Sequence, residues 1–224
     1  MPAFDIITFD CYGTLIDWER GISAAVITAA EAAGVTLGRD EILRVHAEVE
    51  PLIQAGDYRP YREVLEQVAL ALAERLGWPL DPDSAGFLPA SLPGWPLFPD
   101  TNRALEVLSA AGYRLGILSN IDADLLAGTM EHFTVEFDLL VTAEQARSYK
   151  PAPPHFLAAR EEIGGAGWLH AAQSYFHDVE PAVALDVPVV WVNRKHESPS
   201  GDARPLADVS DLYELVTWLS RNRS

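Results

Sequence analysis

Hydrophobic and polar positions along this chain follow two alternating styles. Residues Phe4 to Asp10 (FDIITFD) form a short apolar run closed by an acid and followed by Gly13-Thr14. A run of that length and composition reads as a buried parallel strand opening into a functional loop. From about Trp18 to Leu88, apolar residues recur at three- and four-residue spacing. The spacing predicts helices over 20–33, 40–55 and 61–76, each followed by a glycine (Gly34, Gly56, Gly77), the residue best suited to a helix C-terminus. Pro89 to Pro99 (PASLPGWPLFP) reads as a Pro/Gly-rich hinge. Beyond it, helices over 101–111, near 122–131, and over 153–163 and 180–185 alternate with strands at Tyr113–Leu118, Phe137–Thr142, Ser174–Asp178 and Pro188–Asn193. A terminal helix over 209–220 follows.

Strands separated by helices of this length imply βαβ units. The expected fold class is α/β: a Rossmann-like parallel sheet with helices on both faces, plus an inserted all-helical cap. The catalytic core is expected over residues 1–15 and 96–224, and the cap over 16–95. Because the insert leaves just after the first strand, it is expected at the carboxyl ends of the strands, where open α/β sheets bind ligands.

Composition narrows the partners. Among 224 residues there are 16 basic and 33 acidic side chains, a formal charge of −17, which argues against nucleic acid or an anionic membrane surface as the partner. A single cysteine, Cys11, excludes an intrachain disulfide and a cysteine-built zinc site. No apolar run approaches the roughly 20 residues of a membrane helix, and no signal-peptide pattern opens the chain. A soluble, cytoplasmic protein is expected. Only two of the 16 basic residues are lysines, Lys150 and Lys195; Lys195 lies in a polar loop and reads as solvated.

Four strand ends each deliver a polar group: Asp10, Ser119-Asn120, Lys150 and Asp178. In a parallel sheet such ends converge on one place. Any one of them alone reads equally well as a loop or helix cap; four together point to a site.

Those residues lie in stretches that resemble the four motifs of the haloacid dehalogenase superfamily. They are Asp10-Cys11-Tyr12-Gly13-Thr14-Leu15-Ile16-Asp17, Ile117-Leu118-Ser119-Asn120, Ser148-Tyr149-Lys150-Pro151 and His177-Asp178. The first motif, with Trp191-Val192-Asn193-Arg194, is similar to the (S)-2-haloacid dehalogenase (type II) branch. Superfamily phosphatases carry a second aspartate where this chain has Tyr12, and a last motif that usually supplies two acids for Mg²⁺, where this chain has Asp178 followed by Val179, Glu180, Pro181 and Ala182. Asp10 and Asp178 alone make a poor octahedral oxygen site, so no metal and no cofactor is expected.

The resemblance implies that Asp10 attacks the halogen-bearing carbon of a short, anionic 2-haloacid, and that water then hydrolyses the aspartyl ester. Lys150 keeps Asp10 ionised and oriented. Ser119 and Asn120, with the backbone of Cys11 and Tyr12, hold the substrate carboxylate and the departing halide. Thr14 braces the Asp10 loop, and Asp178, with His177, orients or deprotonates the water. The Cys11 side chain itself reads as packing. Trp18 is the leading candidate for an apolar pocket wall, with Tyr12, Trp95, Phe98 and Phe156 as further ones.

Three positions depart from the branch. Phe156 stands where its members carry a tyrosine. No asparagine occupies the Ser-x-Asn place beside Gln173-Ser174-Tyr175. The cap arginine for halide corresponds to Arg44, or to His46 under a different gap. Two other readings remain open: a phosphatase of a small metabolite, disfavoured by Tyr12, and a non-catalytic binding protein, disfavoured by the joint retention of Asp10, Thr14, Ser119, Lys150 and Asp178. The resemblance leaves room for a homodimer.

Overall fold

In a computed structural model describing residues 4–222, six parallel strands form one sheet in the order β3-β2-β1-β4-β5-β6. The strands are β1 Ile6–Phe9, β2 Arg114–Ser119, β3 Leu139–Thr142, β4 Trp168–Ala172, β5 Val189–Val192 and β6 Ala207–Val209. The helices in chain order are α1 Trp18–Ala32, α2 Arg39–Gln54, α3 Tyr61–Leu76, α4 Phe87–Ser91, α5 Thr101–Ala110, α6 Ala123–Met130, α7 Ala143–Ala146, α8 Pro154–Ile163, α9 Glu180–Ala184 and α10 Leu212–Arg221. No helix among the described residues is long and apolar enough to cross a membrane.

The chain divides into two compact units. One takes in the chain up to Ile16, Leu97–Asn120 and everything from His132 onward; the other is Asp17–Pro96 with Ile121–Glu131. The first contains the whole sheet. Successive strand side chains point to opposite faces, and both faces are covered. Ile6, Leu118, Leu139, Trp168 and Trp191 pack with Phe156, Ala159 and Ile163 of α8 and Ala182 of α9. Helices α5 and α10 pack on each other, and on β2 and on β5 and β6 respectively.

Strand β1 lies inside the sheet, paired with β2 on one side and β4 on the other. The chain runs outward through β2 and β3 and then returns to β1's other side. The β1/β4 boundary is therefore the topological switch point, the place where such sheets open a crevice.

The second unit is helical. Helix α2 packs along α3, α1 along α2, and α4 against α1 and α3. Asp122 joins α6 to this unit: its two carboxylate oxygens accept the first free N–H groups of α3, from Tyr61 and Arg62, both at 2.8 Å. That satisfies two donors the helix cannot satisfy itself. Gly21 lets α1 approach Trp95, since a Cβ there would lie 2.2 Å from the indole Cγ.

Several expectations need correction. The stretch predicted as a hinge contains the end of α4 and a 3-10 turn at Leu92–Gly94. The strand predicted at Ser174–Asp178 is a π-helical turn, Tyr175–Val179, running into α9. The strand lies earlier, at Trp168–Ala172, wholly buried. Edge strand β6, only three residues long, was not expected.

Candidate active site

The site begins with the turn after β1. Gly13 has φ 107°, a backbone state that side chains resist. The chain doubles back there: Leu15 and Ile16 N–H both donate to the Cys11 carbonyl, at 2.8 and 2.9 Å. Thr14 is thereby turned toward Asp10, and its hydroxyl donates to Asp10 Oδ2 at 3.0 Å. The same hydroxyl accepts the Gln173 N–H at 2.9 Å, so its one proton is committed to Asp10.

Arg194, at the end of the Trp-Val-Asn-Arg stretch, fixes this turn from outside. Its guanidinium donates twice to the Thr14 carbonyl, at 3.1 and 2.7 Å, and once to Asp100 at 3.0 Å. It also lies 4.0 Å from the centre of the Phe98 ring. Phe98 is thereby a platform for Arg194.

Lys150 is wholly buried and ties the strand ends together. Its ammonium donates to Asp10 Oδ1 at 3.0 Å, to Asp178 Oδ1 at 2.6 Å and to the Leu118 carbonyl at 2.8 Å. An ammonium has three N–H donors, so all are used. The Lys150 backbone is held by Asn120: Asn120 Nδ2 donates to the Lys150 carbonyl at 3.0 Å, and the Lys150 N–H donates to Asn120 Oδ1 at 2.7 Å. The Asn120 amide thus positions the lysine. It does not cap a helix, since Asp122 is the N-cap residue of α6.

Two buried carboxylates share one cation and become unequal. Burial pushes Asp10 upward; Lys150 opposes this and Asp178 adds to it, and the carboxyl ends above its ordinary 3.8. Burial also works against ionised Asp178, but Lys150 and the His170 hydrogen bond outweigh it and hold the group at about 2. Burial alone would neutralise Lys150, yet the two carboxylates prevail and raise it above 10.5. With both carboxylates ionised the trio carries one net negative charge. The Asp10 side chain is 11% exposed and that of Asp178 only 1%, so Asp10 is the carboxylate solvent can reach.

Three buried polar atoms at the site have no hydrogen-bond partner: Ser119 Oγ, Asp178 Oδ2 and His155 Nδ1. His155 Nε2 contacts the Ser119 carbonyl at 3.2 Å. Burial, then the Lys150 charge, lowers this imidazole from 6.5 to about 4, which keeps it neutral at pH 7. Behind Asp178 stands His170, whose Nε2 lies 3.0 Å from Asp178 Oδ1. His155 and His170 were both missed from sequence. The first sits at the start of a predicted helix, and the second inside the strand that was placed too late.

Of the residues expected to form the site, Asp10, Thr14, Asn120, Lys150 and Asp178 come together through these bonds, and Ser119 ends β2 with its hydroxyl buried and unpartnered. Cys11 is buried, and burial followed by the Asp10 charge pushes its thiol well up, so it stays protonated and non-nucleophilic. Tyr12 is half-buried and forms an isolated bridge with Ile16.

His177 lies in the π-turn rather than at a strand end. Its N–H donates to Ser174 Oγ at 3.0 Å, and its ring stands edge-on to Phe176. Phe156 is wholly buried against Trp168 and His170, a core residue and no pocket wall.

In the helical unit, Trp18 opens α1 with its ring 5.1 Å from that of His46. Trp95 donates to Ser91 Oγ at 2.9 Å. The two alternatives for the cap cation separate clearly. Arg44 is an exposed partner of Glu48 at 2.8 Å, and Glu48 is also paired with Arg75. His46 is buried, 3.7 Å from Glu50, with Nδ1 unpartnered. Among the described residues no group of three histidine, cysteine or acidic side chains is placed to hold a metal ion.

Comparison with known proteins supplies a family and relatives. A family model described as haloacid dehalogenase-like hydrolase matches residues 4–194. The chain is 28% identical over 201 residues to haloacetate dehalogenase H-2 of Moraxella sp. (strain B), covering 87% of this chain and 88% of that protein. It is 27% identical over 219 residues to an (S)-2-haloacid dehalogenase of Pseudomonas putida, covering 95% of each. The fold matches an L-2-haloacid dehalogenase from Xanthobacter autotrophicus with a TM-score of 0.82 at 22% identity, over 99% of this chain and 100% of that one.

Proposed function

Because the chain belongs to the haloacid dehalogenase-like hydrolase family, we propose that it converts a short 2-haloacid to a 2-hydroxyacid, without a metal ion, through an ester on Asp10. The observation that carries this reading is the Lys150 ammonium seated between Asp10 Oδ1 and Asp178 Oδ1, at 3.0 and 2.6 Å. A cation already occupies the place between the two carboxylates, and the relatives named above are dehalogenases of 2-haloacids or haloacetate.

In the first step a carboxylate oxygen of Asp10 attacks the halogen-bearing carbon in line, and the bonding pair leaves with the halide. Thr14 and Lys150 hold Asp10 in one orientation, which lowers the entropic cost of reaching the attack geometry. Because the three Lys150 donors are already used, the lysine does not bind the substrate. Ser119 Oγ, buried and unpartnered, supplies a hydroxyl donor for the substrate carboxylate, together with backbone N–H groups of the Asp10 loop. The attack removes one negative charge from the trio, leaving Lys150 and Asp178 as a balanced pair. In the second step water attacks the Asp10 carbonyl carbon with Asp178 accepting its proton. The 2-hydroxyacid leaves as an alcohol, and Asp10 ionises again.

Halide release from chloroacetate and 2-chloropropionate, with chelator present, tests the reading. Release that chelator leaves unchanged is expected. No halide from any short 2-haloacid, with or without Mg²⁺, would refute the substrate class. Mg²⁺-dependent phosphate release from an aryl phosphate would favour the family's phosphatase chemistry instead.

A further inference from the structure

Resting on that hydrolytic reading, we infer that His170 is a positioning residue for the second step, holding Asp178 by Oδ1 so that its unpartnered Oδ2 receives the proton of the attacking water. Thr8 of β1 and His170 of β4 are register partners across the switch point. Their side chains meet: Thr8 Oγ1 lies 2.8 Å from His170 Nδ1. The Trp168 indole donates to the same Thr8 oxygen at 2.8 Å.

The ionised Asp178 carboxylate can only accept, so His170 Nε2 carries a proton and donates to Asp178 Oδ1 at 3.0 Å. In the neutral imidazole Nδ1 is then the acceptor, and Thr8 Oγ1, which accepts from the Trp168 indole, gives its own proton to it. Thr8, His170 and Asp178 are all buried, as is Trp168. A chain of buried bonds, each direction set by the one before, fixes a side chain more firmly than a single contact.

The placement matters for one half of the reaction. During attack on the substrate, Asp10 is held by Thr14 and Lys150 and does not need Asp178 oriented. After the ester forms, Asp178 is the base, and Lys150 alone would leave its carboxylate free to turn about the bond to Cβ. Of the four carboxylate oxygens in the pair, only Asp178 Oδ2 lacks a partner. His170 gives Oδ1 a second donor beside Lys150, and two donors on one oxygen fix where Oδ2 points. As the water–carbon bond forms, its proton moves to Oδ2 and then to the departing alkoxide as the ester C–O bond breaks. The second water proton leaves when Asp10 re-ionises. Losing the imidazole also makes Asp178 more basic, so a slower second step would report orientation rather than basicity.

The test compares wild type with His170→Leu and His170→Gln, whose amide N–H can replace Nε2–H, using 2-chloropropionate. In His170→Leu, intact-mass analysis should show the Asp10 ester accumulating and kcat falling about tenfold to a hundredfold, with the initial halide burst retained. His170→Gln should restore turnover toward wild type without adduct. A folded His170→Leu that accumulates no ester, or a His170→Gln that behaves like it, overturns the role. Nitrogen NMR of histidine-labelled wild type is independent of substrate. An Nε2–H tautomer for His170, with a proton resonance that moves in Asp178→Asn, is expected; an Nδ1–H tautomer overturns the inference. Should wild type release no halide, the substrate reading fails while the tautomer still decides the His170–Asp178 arrangement.

Discussion

The Lys150 ammonium lies 2.6 Å from Asp178 Oδ1. Its bond to Asp10 is longer, 3.0 Å, so Asp178 is the tighter partner. Asp178 is held at about 2 while Asp10 stays above its ordinary value. The more basic of two linked carboxylates is the better nucleophile, so the proposed assignment of attack to Asp10 is the one its environment favours.

Lys150→Met removes the cation between two buried acids. One carboxyl must then take up a proton or face its partner uncompensated. A loss of about 3–5 kcal/mol in urea unfolding at pH 7 is expected, together with loss of turnover.

Asn120→Ala removes both bonds to the Lys150 backbone and should cost about 2 kcal/mol, near one for each bond. Asn120→Asp retains the acceptor for the Lys150 N–H but sets an anion against its carbonyl. Thermal denaturation should therefore place Asn120→Asp at or below Asn120→Ala, and kcat should fall in both.

His155 gives a stability change with pH. Its pKa is about 4 folded against 6.5 unfolded. In that window the unfolded chain binds more protons, so the stability present above pH 6.5 is lost as pH falls toward 4. Asp178 acts later: its contribution is present above 3.8 and fades as pH drops toward 2. Asp10, with its pKa raised, acts in the opposite sense, favouring the fold at acid pH. Urea unfolding at pH 7 and 4.5 should show a loss of about 2 kcal/mol from this histidine, a share absent in His155→Gln.

Gly21 carries a prediction for the helical unit. A methyl there would meet the Trp95 ring at 2.2 Å, so Gly21→Ala must displace α1 or the indole. A loss of about 1–3 kcal/mol is expected despite alanine's better helix propensity. Unchanged thermal stability would contradict this packing.

How much of this could be read from the chain depends on where each residue sits. Helix α3 shows its full three-to-four periodicity because one face is solvated, and its predicted bounds match. Asp10, Thr14 and Lys150 stand in short motifs that include Gly13 and Pro151, residues that mark a loop in the sequence itself. Strand β4 has no such mark. Buried on both faces, Trp168–Ala172 shows no alternation, and His170 breaks its apolar run, so the more aromatic Ser174–Asp178 was preferred.

His170 and Arg194 are bonded to partners 162 and 180 residues away, Thr8 and Thr14. No local pattern could announce those contacts. The grouping of 121–131 with the helical unit likewise depends on contacts distant in sequence, Asp122 with Tyr61 and Arg62 and α6 with the Leu92–Gly94 turn among them.

The most direct measurement of the central claim is oxygen labelling of Asp10. With enzyme in excess over 2-chloropropionate in heavy-oxygen water, one turnover should leave the label in the Asp10 carboxylate and deliver an unlabelled hydroxyl to the product. Peptide mass analysis reads the first, product mass the second. A labelled product from that first turnover, with no label in the Asp10 peptide, would mean that water attacks the substrate directly and that no ester forms on Asp10.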